Sequence, residues 1–266
     1  MSTTSPCDYD IDMNWISSPS AEPYVTSLYQ SKQQRLFGLL EQPALPPQKT
    51  VSFVKYKLFI CGKSNVGKTS SLRTLVGGKV SKPSNETTGI ETSVVHWPVR
   101  LSSSGQILFF SLNFWDVGDQ VCKKFDHILP ACLEDVDCVL YTFSVTDRSS
   151  FKELPSYRNR FSLKDSERAP LSVIIATKTD QYIHSDIQDI EISNLSEQLD
   201  ATVLKLSNVS KNFLTHSDKH QFARKDTCDF LNTLCDLLWK RDQYLSGLLQ
   251  QSPSSPRLQR DTTEDI

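Results

Sequence analysis

Residues 62–69 have the residue types and the spacing that a loop needs to hold the phosphates of a nucleotide. They read Gly-Lys-Ser-Asn-Val-Gly-Lys-Thr, which matches the G-x-x-x-x-G-K-[ST] pattern. The two glycines allow a sharp turn, so that successive backbone N–H groups point at phosphate oxygens. We expect the second lysine to reach the terminal phosphates and the threonine hydroxyl to complete a Mg²⁺ shell. The residues predicted to contact the phosphates or the metal are Gly62, Ser64, Asn65, Val66, Gly67, Lys68, Thr69 and Ser70.

The segments on either side of this loop are those that the pattern requires. Residues 56–61 form a short apolar run typical of a strand, and residues 70–76 carry three apolar residues at helical spacing before a Gly-Gly stop. A helix that begins at the loop directs the positive end of its dipole at the bound anion. The flanks therefore favour a true phosphate loop over a chance Gly/Lys turn.

A carboxylate and an amide follow another apolar run, at residues 109–115. In parallel sheets the ligand lies at the carboxyl ends of the strands, so chemistry is expected directly after such runs. Asp116 comes first, and its carboxylate can hold Mg²⁺ through water. Gln120 follows and could orient an attacking water, which makes it the candidate catalytic residue.

Two later runs, at residues 171–176 and 202–206, end in polar residues that could recognise a guanine base. These residues are Thr177, Lys178 and Asp180 after the first run, and Ser207, Asn208 and Val209 after the second. The Asp180 carboxylate can accept two hydrogen bonds from N1 and the exocyclic amine of guanine, a pair of donors that adenine lacks. The Lys178 stem can lie along the base, and the backbone after the last run could face the guanine carbonyl. These residues therefore argue against an ATPase.

Each of these features has a plainer interpretation when it is taken alone. Asp116 could cap the end of a strand, and Lys178 and Asp180 could belong to a solvated turn. The order of the motifs, each at the end of a predicted strand and all after a phosphate loop, favours the nucleotide interpretation.

These motifs resemble the Ras-like small GTPases, with T-K-x-D in place of the usual N-K-x-D. The resemblance implies GTP or GDP with Mg²⁺ as ligands and a mobile loop in which a Thr senses the third phosphate through the metal. Thr87 lies 18 residues after Thr69, the separation usual in Ras and Rab proteins, and is the predicted switch residue and metal ligand. Thr88 is the alternative, and an exposed Thr that caps an edge strand is a third interpretation.

Asp119 departs from the family pattern. In Ras-like proteins the metal-site Asp begins D-x-x-G, and the amide of that Gly binds the third phosphate, whereas this chain has Asp119 there. A carboxylate near the phosphates is unfavourable unless it points to solvent or the loop moves. We expect Asp119 to weaken the closed switch or to slow hydrolysis. The chain is then either a slow GTPase switch or an interaction module that holds nucleotide without cycling.

Several further segments resemble one divergent branch of that family, the Rem- and Rab-like small GTPases of the ciliogenesis and planar polarity effector complex. They are residues 35–41, 86–90, 123–127 and 143–151, with Trp97-Pro98 and Asp180-Gln181-Tyr182. This resemblance implies assembly with the planar polarity effectors Inturned and Fuzzy at the basal body, in the cytoplasm and cytoskeleton. It also implies support for ciliogenesis and for the recruitment of intraflagellar transport components.

Composition argues against several other classes of protein. A net charge of −2 gives no electrostatic case for nucleic acid or for an anionic membrane. The seven cysteines are odd in number and scattered, which favours a reducing compartment. The last cysteine is Cys235, and Ser2 stands where myristoylation needs Gly. We therefore expect no direct lipid anchor, and membrane contact only through partners.

Hydrophobic patterning predicts a doubly wound α/β fold, and the resemblance implies that this fold is a Ras-like G domain of the P-loop NTPase class. Its sheet would have six strands, mostly parallel, with one antiparallel edge strand made by a hairpin of residues 92–97 and 106–115. Helices are predicted over residues 22–41, 120–133, 149–162 and 220–248. We assign a disordered segment to 1–22, a helix and Pro-rich linker to 23–50, the GTPase domain to 51–249 and a disordered tail to 250–266.

Overall fold

The computed structural model of the chain describes residues 10–30, 33–34, 37, 41–45, 51–76, 87, 89–124, 126–161, 168–208 and 225–249. The strands are β1 (Tyr29–Gln30), β2 (Gln33–Gln34), β3 (Ser52–Cys61), β4 (Ile90–Arg100), β5 (Ile107–Val117), β6 (Cys138–Ser144), β7 (Leu171–Thr177) and β8 (Thr202–Leu206). The α-helices are α1 (Glu22–Thr26), α2 (Lys68–Leu75), α3 (Asp119–Lys124), α4 (Leu129–Leu133), α5 (Arg148–Lys152), α6 (Leu154–Arg160), α7 (Asp189–Leu199) and α8 (Lys225–Leu245). Short 3₁₀ helices occupy Trp15–Ser17, Pro19–Ala21, Asp126–Ile128 and Thr179–His184.

The main sheet has six strands in the order β4-β5-β3-β6-β7-β8. All neighbours in it are parallel except β4 and β5, which pair antiparallel at one edge. The predicted fold class is thereby confirmed. The register places Ile60 opposite Asp116, so that the end of β5 lies beside the start of the phosphate loop. The parallel strands therefore all finish at the same end of the sheet, its carboxyl edge, where ligands bind in this class of fold. These strands are β3, β5, β6, β7 and β8.

Hydrophobic clusters cover both faces of the sheet. Side chains alternate along a strand, so Leu58 and Ile60 of β3 join one cluster while Phe59 and Cys61 join the other. The first cluster includes α2, α8 and the segment that precedes the sheet; the second includes α4, α6 and α7. The central strands are buried on both faces, which explains their continuous apolar runs.

The segment before the sheet differs from the prediction. Disorder was predicted for residues 1–22, and this is wrong for residues 10–22, because Ile11 forms a bridge with Leu101 and Trp15 is only 2 % exposed. Residues 1–9 and the predicted tail at 250–266 lie outside the described residues. The docked segment hydrogen-bonds to the end of β4, with the Asp12 N–H donating to the Arg100 carbonyl over 2.9 Å.

The helix predicted for residues 22–41 is also wrong in length. Helix α1 ends at Thr26 and is followed by the two-residue strands β1 and β2. Phe37 then forms a bridge with Val94 on the open edge of β4. Pairing with this edge satisfies backbone groups that a helix would satisfy internally, so tertiary contacts override the apolar spacing.

Proline divides two of the predicted helices. The helix predicted at residues 120–133 consists of α3, the 3₁₀ helix Asp126–Ile128 and α4, which has Pro130 in its first turn. The helix predicted at 149–162 is divided into α5 and α6, with Pro155 at the start of α6. The closing helix α8 begins at Lys225, and the predicted part at 220–224 lies outside the described residues.

Helix α7 was not predicted. Its sequence nevertheless carries a start signal, because the side chains and backbones of Gln188 and Glu191 form a reciprocal capping box. Among the described residues, no helix is long and apolar enough to cross a membrane.

Candidate nucleotide-binding site

The phosphate loop joins the end of β3 to the start of α2. Gly62 (φ +141°), Asn65 (φ +65°) and Gly67 (φ +103°) all have positive φ angles, and such turns direct backbone N–H groups into a concave anion site. A Cβ atom at Gly62 would lie 2.2 Å from the carbonyl oxygen of Thr142 on β6. Only glycine fits there, because the loop packs directly on the neighbouring strand.

Lys68 lies over the loop and is 7 % exposed. Its ammonium donates hydrogen bonds to the Gly62 carbonyl over 2.8 Å and to the Lys63 carbonyl over 3.0 Å. These contacts hold a buried cation at the loop, where it would neutralise a bound phosphate. Ser64 and Ser70 are half-buried, Asn65 is exposed, and Val66 is buried.

Three oxygen-bearing side chains meet beside the loop. The Thr69 hydroxyl hydrogen-bonds to Asp116 Oδ2 and lies 2.9 Å from the Thr87 hydroxyl. The other carboxylate oxygen, Asp116 Oδ1, is buried and has no hydrogen-bond partner among the described residues. Burial raises the pKa of the Asp116 carboxyl, opposed by the Thr69 hydroxyl and the charge of Lys68. An ionised Asp116 would therefore gain from a cation at this place.

These residues fit a Mg²⁺ ion, which prefers hydroxyl and carboxylate oxygens together with water and phosphate. Within the part of the chain that the structure describes, no group of three or more His, Cys, Asp or Glu side chains could hold a metal. A metal beside Thr69, Thr87 and Asp116 would thus need phosphate oxygens or water to complete its ligands.

Thr87 is held close to the end of β5 by Gly118. The Gly118 N–H donates to the Gly89 carbonyl over 3.0 Å. A Cβ atom at Gly118 would lie 2.1 Å from the Thr87 carbonyl oxygen, so the close approach of the two segments depends on glycine. The structure thus brings Thr87 to Thr69 and Asp116, the other two predicted metal ligands, while Thr88 lies outside the described residues.

Thr177 connects the predicted base-recognition residues to the phosphate loop. Its hydroxyl lies 2.9 Å from the Phe143 carbonyl oxygen and also within hydrogen-bond distance of the Val66 carbonyl oxygen. The side chain is fully buried. A single threonine hydroxyl therefore links the ends of β6 and β7 to the loop between β3 and α2.

Lys178, Asp180 and the residues after β8 complete the other end of the site. Lys178 has a left-handed backbone (φ +56°), which turns the chain at the end of β7. Asp180 Oδ1 accepts a hydrogen bond of 2.9 Å from the Ser207 hydroxyl. The Asn208 side-chain amide donates to the Ser71 hydroxyl on α2 over 3.1 Å, and Asn208 Oδ1 is buried with no hydrogen-bond partner in the part of the chain that the structure describes. Val209 lies outside the described residues.

Asp119 neither points to solvent nor lies free in a loop. It is the first residue of α3 and is 3 % exposed. Oδ1 accepts a hydrogen bond from the Tyr157 hydroxyl over 2.5 Å, and Oδ2 lies 3.0 Å from the Lys123 ammonium and 3.3 Å from the Ser64 N–H. Burial alone would raise the pKa of Asp119, but the hydrogen bonds from Tyr157 and Lys123 lower it overall. Gln120, the next residue, is exposed.

Sequence reasoning missed three of these contacts. Lys123 lies four residues after Asp119 on α3 and could have been found from that helical spacing. No local sequence pattern indicates the other two contacts, those of Tyr157 with Asp119 and of Asn208 with Ser71, because their partners come from distant parts of the chain.

Comparison with known proteins agrees with this geometry. The family model described as "Ras family" matches residues 57–232. Three similar proteins share the name "Ciliogenesis and planar polarity effector 2". The Xenopus tropicalis protein is 37 % identical over 241 residues, covering 90 % of this chain and 94 % of the relative. The Homo sapiens protein is 36 % identical over 246 residues, with 91 % and 94 % covered. The Danio rerio protein is 35 % identical over 254 residues, with 95 % of each covered.

The family match covers the phosphate loop and the predicted metal-binding and base-recognition residues, and it extends over most of the sheet. The chain belongs to the Ras family.

Proposed function

We propose that the chain binds GTP or GDP together with Mg²⁺ at the carboxyl edge of its sheet. The observation that carries this proposal is that the hydroxyl of Thr177, the last residue of β7, lies within hydrogen-bond distance of the Val66 carbonyl oxygen in the loop, and Asp180 follows three residues later. The phosphate-binding and base-recognition parts are thereby held at a fixed separation. Membership of the Ras family supports guanine as the base.

Each part of the site would hold a different part of the nucleotide. The backbone N–H groups of the loop and the Lys68 ammonium would bind the phosphates. Asp180 would accept hydrogen bonds from guanine and is itself held by the Ser207 hydroxyl. A Mg²⁺ ion beside Asp116, Thr69 and Thr87 would neutralise charge on the terminal phosphates.

Hydrolysis is proposed to be slow when the chain acts alone. Gln120 stands where a side chain could orient an attacking water, but it is exposed. Asp119 places a carboxylate at the phosphate loop, where added negative charge opposes the charge that develops on the transferred phosphoryl group. Single-turnover hydrolysis of radiolabelled GTP tests this proposal. A rate as fast as that of partner-stimulated GTPases would contradict it.

We place the chain in ciliogenesis, as a subunit that works with planar cell polarity effectors. Relatives that are 35–37 % identical over at least nine-tenths of the chain bear the name ciliogenesis and planar polarity effector 2. The partners proposed from the resemblance are Inturned and Fuzzy, and the place is the basal body, where assembly would support the recruitment of intraflagellar transport proteins.

Two modes of action remain, and one experiment separates them. In the first, the third phosphate orders Thr87 and the segment after Asp116 and so creates a partner surface. In the second, the nucleotide is a structural ligand and the partner surface does not change. Partner affinity should be measured with the chain loaded with GDP or with a non-hydrolysable GTP analogue. A ligand shifts only an equilibrium whose states it binds differently, so equal affinities would exclude the switch mode.

A further inference from the structure

Asp119 brings a negative charge of the chain itself to the phosphate loop. Its Oδ2 atom accepts from the Ser64 N–H over 3.3 Å and lies 3.4 Å from the Ser64 hydroxyl. Backbone N–H groups of such a loop are donors for phosphate oxygens. The carboxylate therefore occupies a donor that belongs to the anion-binding loop.

The carboxylate is held in this place by partners outside the loop. The Tyr157 hydroxyl, on α6, donates to Oδ1 over 2.5 Å, and the Lys123 ammonium lies 3.0 Å from Oδ2. Tyr157 is 4 % exposed and packs in the second hydrophobic cluster. Lys123 is 43 % exposed at its side chain and also lies 3.7 Å from Glu153. Because Tyr157 is fixed by the core, Asp119 does not need a bound nucleotide to keep its position.

The position of Asp119 along the site indicates which phosphate it would face. The base end of the site is marked by Asp180 and Ser207, and the metal end by the contact between Thr69 and Asp116. Asp119 follows Asp116 by three residues and contacts the phosphate loop. It therefore lies at the metal end, which would receive the terminal phosphates of the nucleotide.

We propose that Asp119 is a specificity-determining residue that disfavours the third phosphate, so that the chain discriminates between GDP and GTP by like-charge repulsion. This inference rests on the proposed binding of guanine nucleotide. A triphosphate brings one more phosphoryl group, and its charge, to the metal end than a diphosphate does. Lys123 neutralises part of the Asp119 charge and so limits the discrimination.

The test measures the dissociation constants of the full chain for fluorescent GDP and for a fluorescent non-hydrolysable GTP analogue, at one Mg²⁺ concentration and one ionic strength. The quantity compared is the ratio of the GTP-analogue constant to the GDP constant. Asp119→Asn keeps the size of the side chain and a carbonyl acceptor for Tyr157 but removes the charge, so the ratio should fall about tenfold. Lys123→Gln leaves the carboxylate without its cation, so the ratio should rise.

The opposite signs separate repulsion from a merely structural role. If Asp119 only anchored α3, each substitution would weaken the binding of both nucleotides by the same factor. The ratio of the two dissociation constants would then stay constant, which would overturn the inference. Asp135→Asn is the matched control, because Asp135 is exposed and precedes β6 at the opposite edge of the sheet; its ratio should equal that of the wild type.

Failure of the inference is distinguishable from failure of the proposed function. A wild-type chain that binds neither nucleotide would overturn the proposed function and this inference with it. A wild-type chain that binds both, with a ratio that neither substitution moves, would overturn the inference alone. If Asp119→Asn does not fold, Lys123→Gln decides, since a ratio that falls or stays constant contradicts repulsion.

Discussion

The hydroxyl oxygens of Thr69 and Thr87 lie 2.9 Å apart across 18 residues of sequence. Thr69 belongs to helix α2, whereas Thr87 belongs to the segment that leads into β4. Their contact, together with that of Thr69 and Asp116, brings three different parts of the chain to one point. Any ligand held there would bias the position of Thr87, which is what a nucleotide-dependent switch requires.

Replacing Thr87 should weaken the binding of the triphosphate more than the binding of the diphosphate. In Thr87→Ala the hydroxyl that meets Thr69 and the proposed metal is lost, and we expect affinity for a GTP analogue with Mg²⁺ to fall about tenfold. Affinity for GDP should change little. Titration of both nucleotides with and without Mg²⁺ measures this effect. Thr92→Ala, at an exposed position of β4, is the control, and equal losses for the two nucleotides in Thr87→Ala would contradict the assignment.

Replacing Gly118 should both destabilise the chain and displace Thr87. The added methyl group would lie 2.1 Å from the Thr87 carbonyl oxygen, and overpacking of this kind costs about 1–3 kcal/mol. Chemical denaturation of Gly118→Ala measures the loss in the free energy of unfolding. In Gly105→Ala the methyl group meets open space but φ is +66°, so that control should lose only about 1 kcal/mol and keep Mg²⁺-dependent binding. A Gly118→Ala chain as stable as the wild type would refute the close approach.

His96 should make the stability depend on pH. Burial lowers the pKa of His96 to about 4 from its ordinary 6.5, and the ring lies between the Ser111 hydroxyl and the Glu41 carbonyl oxygen. As the pH falls through 6.5, the unfolded chain gains a proton that the folded chain does not take up. Stability is therefore lost between pH 6.5 and pH 4, by at most about 3 kcal/mol.

Denaturant unfolding from pH 7 to pH 5 tests this dependence. His96→Gln should flatten the profile in that range, whereas His184→Gln should leave it unchanged, because His184 is exposed. If the wild-type and His96→Gln profiles are parallel, another group is responsible for the pH dependence.

Asp180 should be needed for the binding of guanine nucleotides. Asp180→Asn replaces one carboxylate oxygen, which accepts hydrogen bonds, with an amide that donates them. Loss of charge-assisted hydrogen bonds costs about 1.5–3 kcal/mol, so the affinity for GDP and GTP should fall about 10- to 100-fold. Equilibrium titration measures the change. Asp200→Asn is the control, since Asp200 is exposed and precedes β8 at the other edge of the sheet. Unaltered affinity in Asp180→Asn would remove the guanine assignment.

Local sequence patterns were sufficient for the sheet and for much of the candidate site. The loop from Gly62 to Thr69 depends on backbone turns that glycine alone permits, and Asp116 and Asp180 directly follow apolar strands. Such features are visible in a few consecutive residues, because strand ends in this fold share one edge. Thr87 was predicted as the switch residue from its separation from Thr69, and that role stays a prediction.

Contacts between distant residues could not be predicted. Residues 10–22 are ordered because Trp15 is buried and because Asn232, on α8, donates to the Met13 carbonyl and accepts from Trp97. Tyr157 likewise reaches Asp119 only after α6 has packed on the sheet. The spacing of apolar residues along the chain does not indicate contacts of this kind. The packing of residues 10–22 and the surroundings of Asp119 could therefore be seen only in the structure.

The central claim, that this site is built for guanine nucleotides, is tested most directly by comparing the affinities of the wild-type chain for GDP, GTP, ADP and ATP with Mg²⁺ present. Asp180 offers acceptors to N1 and the exocyclic amine of guanine, and a site made to hydrogen-bond one group rejects analogues that lack it. We predict that GDP and GTP bind at least about 100-fold more tightly than their adenine counterparts. Equal affinity for the two bases, or binding of neither, would contradict the account.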